Sequence, residues 1–339
     1  MIFIPYYFFF ICSILFGILI SISSRSWLYI WMGLEVNLLS FIPLIVCGSN
    51  DIESEGAIKY FLIQALGSCI VLFSYFSFMN FVNYNLYMFD FGSYILIFGL
   101  ILKMGIFPFH HWLPQVMGSV SWFNCFILSV VQKLAPSFVL CFIICGCSSY
   151  NIILIGALGA LFGGLNGINQ TQIRLILAYS SVGHLGWILC SIFISFFVFV
   201  YYYLIYIFIR SGLILLLNIS PFKVINLNRF NYMCSTYIIC ISLRFLSLSG
   251  LPPFLGFYSK LLVIYYIVYF GKGLYCLGLV MGSLINLFYY LRIFFNIFIL
   301  SSFKRLYIKN VTIFTPFRLF ISFFLSMSYL GFGFLYLFF

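Results

Sequence analysis

The chain is built from continuous apolar runs of about 20 residues separated by short polar stretches, and it does not alternate apolar and polar positions strand by strand. A helix rising about 1.5 Å per residue needs about 20 residues to cross roughly 30 Å of hydrocarbon. The runs therefore predict membrane-spanning helices, eleven of them, near 3–22, 27–48, 60–82, 88–119, 121–141, 149–168, 175–192, 194–219, 233–269, 273–301 and 319–338. Inside a bilayer every backbone N–H and C=O must find its partner within the protein, which leaves helices or closed barrels. A barrel would alternate in and out, so the predicted fold is all-α and polytopic.

Two of the runs are too long for one straight helix, and both contain residues that a helix interior rejects. They are Gly105-Ile-Phe-Pro108 in the fourth run and Gly250-Leu-Pro252-Pro253, followed by Gly256, in the ninth. Proline removes a backbone donor and clashes with the preceding turn, so each run must kink or unwind there. Counted in fives, the breaks fall at the same place in both sets. A five-helix unit necessarily re-enters the membrane upside down, which predicts inverted repeats over 1–145 and 146–302 and one further transmembrane helix in 303–339. In inverted repeats of this type the broken helices mark the transport site.

Composition supports lipid as the solvent: of 339 residues 65% are hydrophobic and 6% charged, which no soluble core of this size would tolerate. A net charge of +11 could serve nucleic acid, but the 16 Lys and Arg are scattered between the runs and form no dense basic stretch. They fit orientation better. Lys59, Arg174, Lys223, Arg229, Lys304, Arg305, Lys309 and Arg318 lie in the even-numbered loops, against Arg25 and Lys272 in the odd ones. The even loops and the N-terminus are thus expected on the side of synthesis, with the acidic stretch Asp51, Glu53, Glu55 contributing little.

Most of the 11 cysteines, among them Cys12, Cys69, Cys125 and Cys240, fall within apolar runs, where a thiol packs as a small hydrophobe. Cys145-Gly-Cys147 lacks the spacing and the His or acidic partners of a metal or cluster site. No Arg- and Ser-rich presequence precedes the first apolar run, so the first helix is expected to be retained. The richness in Phe and Tyr, 46 and 26 residues, is the bias of an AT-rich coding sequence and fits an organelle genome.

An ionisable group at bilayer depth costs several kcal/mol unless paired or hydrated, so each is a functional candidate. Glu35 lies near the centre of the second run, Lys103 just before the first break, Lys133 near the middle of the fifth run, and Lys260 beyond the second break. A structural ion pair between Glu35 and one lysine would leave the other lysines unexplained. His184 in the seventh run has Ser180 and Ser181 one turn earlier on its face, which suits either a water-linked relay or simple interhelical hydrogen bonding. His110-His111 diverge too far to hold one metal together and read as polar lining. Gly159-xxx-Gly163 with Gly156 and Gly167 is a close-packing stripe rather than a nucleotide loop, since no strand precedes it. Arg210 and Arg292 are expected to snorkel from helix ends, and Arg244 has no evident partner.

Seven segments in order resemble one family. They are Trp31-Met-Gly-Leu-Glu35-Val-Asn37-Leu-Leu-Ser40-Phe-Ile-Pro43, Lys59-Tyr-Phe-Leu-Ile-Gln64, Leu102-Lys103-Met-Gly105-Ile-Phe-Pro108-Phe-His110, Gln132-Lys133-Leu-Ala-Pro136, Gly163-Gly-Leu-Asn166-Gly-Ile-Asn169-Gln170-Thr171, Tyr179-Ser-Ser-Val-Gly-His184-Leu-Gly186-Trp187 and Gly250-Leu-Pro252-Pro253-Phe-Leu-Gly256. They resemble the chain 2 family of NADH-ubiquinone oxidoreductase, one of the antiporter-like membrane subunits of complex I. The resemblance implies an antiporter-like fold, with Glu35 and Lys103 as the pair of the first half-channel, Lys133 as the bridge between halves, and Lys260 as the exit-side lysine. It further implies the mitochondrial inner membrane, with the side of synthesis being the matrix. Partners would be other membrane-arm subunits and membrane lipids, cardiolipin included. NAD, FMN, iron–sulfur clusters and ubiquinone would belong to partner subunits, and no cofactor to this chain. Eleven crossings resemble the shortened form of the family, which lacks three N-terminal helices. Ser249 departs from the family's usual Gly, and the last 70 or so residues match only in hydropathy.

The expected mechanism is electrostatic. A carboxylate approaching a buried ammonium holds its proton there, and a carboxylate withdrawing lets it go. A swing of about three pKa units is worth roughly 4 kcal/mol, and one proton moved against about 150–200 mV requires roughly 3.5–4.6 kcal/mol. One opening and closing pair therefore suffices in scale for one proton. A free-standing cation/proton antiporter would share the lysines and breaks but exchange Na⁺ or K⁺ for H⁺ on its own. A membrane scaffold would tolerate loss of Lys103 or Lys260 in pumping while failing in assembly.

Overall fold

A computed structural model of the chain describes residues 5–47, 51–81, 86–144, 151–219, 235–252 and 254–304. Among them the regular structure is helical: α1 (Pro5–Ser23), α2 (Trp27–Val46), α3 (Asp51–Phe81), α4 (Leu86–Met104), α5 (Trp112–Ser119), α6 (Trp122–Phe126), α7 (Gln132–Ile144), α8 (Asn151–Ile168), α9 (Ile173–Ile194), α10 (Phe196–Ile219), α11 (Ser235–Ser249), α12 (Leu255–Tyr269) and α13 (Gly273–Lys304). Among the described residues eight helices are long and apolar enough to cross a membrane, and Gly92–Met104, Cys240–Ser249 and Leu255–Tyr269 are shorter apolar helices. Those shorter pieces are the segments flanking the two expected breaks. The expected last helix, like Pro253, Cys145-Gly-Cys147, Lys223, Arg229, Arg305, Lys309 and Arg318, lies outside the described residues.

The chain divides into two compact units, Met1–Asn151 and Ile152–Phe339. In the first, α1 and α2 meet at backbone distance because Gly17 and Gly33 face each other. A Cβ on either would stand 2.7–2.8 Å from the other's carbonyl oxygen. With little hydrophobic force between helices in lipid, such small-residue contacts carry the packing. α3 begins at Asp51, about nine residues before the expected span. Lys59 therefore lies on a helix and not in a loop. Asp51 and Glu53 sit in its first turn, where carboxylates complement the helix dipole, and Glu55 accepts from Lys59 Nζ at 2.6 Å one turn on.

In the second unit α8 lies against α9 through glycine. A Cβ on Gly163 would meet Gly183 N at 2.6 Å and one on Gly156 would meet Gly186 O at 2.8 Å. The glycine run thus serves packing, as the sequence suggested. Cys125, Cys141, Cys190, Cys240 and Cys276 are buried thiols, while Cys12 and Cys69 are exposed.

Candidate functional site

At the first break α4 stops in a glycine-capped turn. Gly105 adopts φ +72°. Its N–H donates to the Leu102 carbonyl at 3.1 Å, and the Ile106 N–H reaches back to Ile101 O at 3.3 Å. This 6→1, 5→2 pattern closes a helix where only glycine avoids strain, so Gly105 ends the helix before Pro108 is reached. Neighbouring side chains also donate to carbonyls of this last turn: Gln64 Nε2 to Lys103 O at 3.0 Å, and Trp112 Nε1 to Leu102 O at 3.3 Å beside the Gly105 N–H.

Lys103 itself occupies the last turn of α4, where the negative end of the helix dipole favours a cation. Its side chain is 6% exposed, and its stem passes over Gly67 of α3, where a Cβ would stand 2.8 Å from Lys103 Cγ. Glu35 is half-buried, with Oε1 enclosed and without a hydrogen-bond partner. Its charge is felt at Lys103, yet the two form no direct ion pair. The expected pair is present as neighbours and not as a closed bridge.

A cavity of about 20 Å³, room for one water molecule, lies between α2, α3, α4 and α7. Asn37, Tyr60, Gln64, Lys103, Gln132 and Lys133 supply its polar lining. The Tyr60 hydroxyl donates to Gln132 Oε1 at 3.2 Å. Lys133, 2% exposed, is the second residue of α7, just after a π-helical turn at Ile127–Val131. Such a turn inserts one residue into the helical ladder and re-aims the side chains that follow, and it recurs at functional sites. The sequence carried no sign of it. Nor did it assign a role to Tyr60, Gln64 and Gln132, which stand in the quoted segments, though Tyr60 and Gln64 lie one turn apart on the inner face of α3.

The second break follows the same plan within the second unit. Gly250, at φ +79°, ends α11 with its N–H on Ser247 O at 3.3 Å. Lys260 on α12 is 6% exposed and donates from Nζ to the Ser249 carbonyl at 2.7 Å, while its ammonium stands 5.9 Å from the Trp187 ring. The Ser249 side chain turns away to Leu246 O at 2.6 Å. Ser in place of Gly there leaves the lysine's acceptor untouched, because the acceptor is backbone, and the position requiring glycine is Gly250.

His184 is 6% exposed and its Nδ1 lies 3.0 Å from the Tyr202 hydroxyl, with the Tyr206 ring 5.3 Å away. Arg210 does not snorkel. It is fully buried, donating to Ser180 Oγ at 3.1 Å and to Leu177 O at 2.5 Å, because α9 lies beside α10 and offers it a hydroxyl and a carbonyl. Arg244 is likewise buried, 5.5 Å from the Phe208 ring, and Gly212 makes room for its guanidinium. Arg292 turns inward to cap the end of α8 at Ile168 O, 2.7 Å away. His110 is 2% exposed, its ring 4.2 Å from that of His111. Among the described residues no group of His, Cys, Asp and Glu is arranged to hold a metal ion.

Residues 24–286 match the family model described as NADH:quinone oxidoreductase/Mrp antiporter, transmembrane. The chain is 41% identical over 298 residues to NADH-ubiquinone oxidoreductase chain 2 of Anopheles gambiae, covering 86% of each. It is 38% identical to the chain of that name from Lumbricus terrestris, covering 88% of each. Its fold is similar to a chain of respiratory complex I from Thermus thermophilus, with a TM-score of 0.80 at 19% identity over 97% of this chain and 78% of the other. It is similar also to a chain of the Mrp complex from Dietzia sp., with a TM-score of 0.77 at 19% identity over 85% of this chain and 60% of the other.

Proposed function

Because this chain belongs to the NADH:quinone oxidoreductase/Mrp antiporter family, and within it to the family of NADH-ubiquinone oxidoreductase chain 2, we propose that it is a proton-translocating membrane-arm subunit of respiratory complex I. It acts as part of an NADH:ubiquinone reductase whose redox chemistry, with NAD, FMN, iron–sulfur clusters and ubiquinone, resides in partner subunits. This chain supplies the path for protons. The observation that carries the reading is the placing of two buried lysines at two interrupted helices, Lys103 in the last turn of α4 and Lys260 with its Nζ on the last carbonyl of α11, each break closed by a glycine of positive φ.

That arrangement suits a site that must gain and lose a proton. Backbone carbonyls at a helix C-terminus stabilise the ammonium without neutralising it permanently, as a closed carboxylate bridge would. Glu35 stands near Lys103 with an oxygen free of hydrogen bonds, so a small movement changes the field at the lysine. The cavity shared by Lys103 and Lys133 gives a water molecule room between them. In the second unit His184 and Lys260 are the groups able to take up and release a proton. In this reading the chain is two inverted five-helix repeats, 1–145 and 146–302, completed to eleven crossings by a helix in 303–339. The chain resides in the mitochondrial inner membrane among other membrane-arm subunits and lipids such as cardiolipin, with its N-terminus and even loops towards the matrix.

The test is proton pumping by the intact complex in proteoliposomes, with NADH oxidation recorded alongside. Glu35→Gln and Lys133→Met are expected to assemble normally and to pump at a small fraction of the native rate. Native pumping in either variant refutes the reading. Normal pumping with failed assembly in Lys103→Met or Lys260→Met would assign the chain a scaffold's role instead.

A further inference from the structure

The mechanism above begins at Lys103 and does not say how a proton arrives there. α3 supplies an unused buried acid. Glu53, in its first turn, is only 7% exposed, and its Oε2 is enclosed with no hydrogen-bond partner. A carboxylate has four acceptor sites and strong preference for water, so burying one with an oxygen unserved is costly unless the group has work to do. Its neighbours in the same turn, Asp51 and Glu55, are exposed, and Glu55 is occupied by Lys59.

Glu53 is also the first member of a stripe. It is followed on the same buried face of α3 by Ala57, Tyr60 and Gln64, at intervals of four, three and four residues, exposed by 3%, 2% and 6%. Gln64 bonds the Lys103 carbonyl, and Tyr60 and Gln64 line the cavity that Lys103 lines. The stripe thus runs from the start of the helix to the first lysine. The widest gap between its polar members is the seven residues from Glu53 to Tyr60, roughly 10 Å along the axis. A hydroxyl from another helix stands beside that interval. Ser119, at the end of α5, rests its Oγ directly on Gly56, in the space any side chain there would fill. Gly56 and Ala57, the two small residues of the turn, keep the interval open to it.

We propose that Glu53 is the proton-uptake group of the first unit, feeding Lys103 along the inner face of α3 by way of the Ser119 and Tyr60 hydroxyls and the water between them, with Gln64 holding the end of the path against the Lys103 carbonyl. This rests on the proton-translocation reading and extends it to the uptake side. In each cycle the Glu53 carboxylate takes a proton from water at the start of α3 and becomes a neutral acid. It hands that proton to the hydroxyl and water chain, each member of which accepts one proton and releases another. The last transfer converts the Lys103 amine to an ammonium and leaves Glu53 again a carboxylate, so no charge or atom is left over. Because the start of α3 belongs to an even-numbered loop, the proton comes from the side of synthesis, the side from which a respiratory pump must draw.

The experiment uses the intact complex in proteoliposomes, comparing Glu53→Gln, Glu53→Asp, Ser119→Ala and Lys103→Met, with pumping normalised to assembled complex. Glu53→Gln is expected to pump at least about tenfold more slowly, in the range that loss of one proton-transfer group produces. Glu53→Asp should restore most of the rate, a rescue that a merely structural role would not show as turnover per assembled complex. Native pumping in Glu53→Gln beside an inactive Lys103→Met overturns the uptake role and leaves the translocation reading standing. Native pumping in Lys103→Met sinks both. If Glu53→Gln fails to assemble, Ser119→Ala, which deletes a single oxygen, decides: severalfold slower pumping sustains the path, and an unchanged rate overturns it.

Discussion

Replacing Gly250 by alanine tests the second break with a single methyl group. Gly250 sits at φ +79°, a region that costs an L-residue about 1–2 kcal/mol. The added Cβ would also lie 2.9 Å from Lys260 Nζ and 3.1 Å from its Cδ, so the lysine must move off the Ser249 carbonyl to which it donates at 2.7 Å. A hydrogen bond from a charged donor contributes about 1.5–3 kcal/mol, which brings the combined perturbation to about 2.5–5 kcal/mol. That is the scale of moving one proton against about 150–200 mV, at roughly 2.3 kcal/mol per 100 mV. Gly271 provides the control. It has φ +71° but nothing within 4 Å of the Cβ position, so alanine there meets the backbone strain alone. In proteoliposomes Gly271→Ala is expected to pump per assembled complex like the native protein, whereas Gly250→Ala should lose most of its pumping. Equal pumping by the two variants would refute the idea that the glycine exists to let Lys260 reach the helix end.

The corresponding change at the first break is Gly67→Ala, whose Cβ meets the stem of Lys103 at 2.8 Å. Overpacking of about 1–3 kcal/mol is expected there, with assembly retained and pumping reduced, both read on the isolated complex. Arg292→Met removes the donor that caps Ile168 O at 2.7 Å. It should lower thermal stability in detergent by about 1.5–3 kcal/mol while pumping per assembled complex stays native. Lys59→Gln breaks an exposed pair with Glu55 and should leave both stability and pumping unchanged within error, since such pairs are screened by water.

The breaks were legible in the sequence because their signals are covalent. Glycine where φ must be positive, and proline where a donor must be missing, announce themselves in the residue identity. The lysines were legible because an ion in hydrocarbon is conspicuous in composition alone. What the sequence hid was direction. Arg210 and Arg292 looked able to reach the membrane surface, but partners on neighbouring helices lay closer, and helix pairing cannot be read from one run at a time. Lys59 passed for a loop residue since hydropathy registers the charged turn Asp51–Glu55 as polar and is blind to its quality as a helix start. The π-helical turn before Lys133 has no residue signature, because Ile127–Val131 would suit an ordinary helix equally well. Tyr60 and Gln64 stood in a quoted segment without a role because each alone is an ordinary residue, and only the fold shows that they share a cavity with two lysines.

Lys260 draws its negative partner from the main chain, and this alters what inheritance can damage. An aspartate serving as counter-ion is lost by one codon change, whereas the oxygen of residue 249 survives any substitution made there. Vulnerability moves next door, to the residue whose missing side chain leaves the approach clear. In descendants of this gene position 249, a buried site, can therefore exchange among small residues without loss of the acceptor, and position 250 cannot.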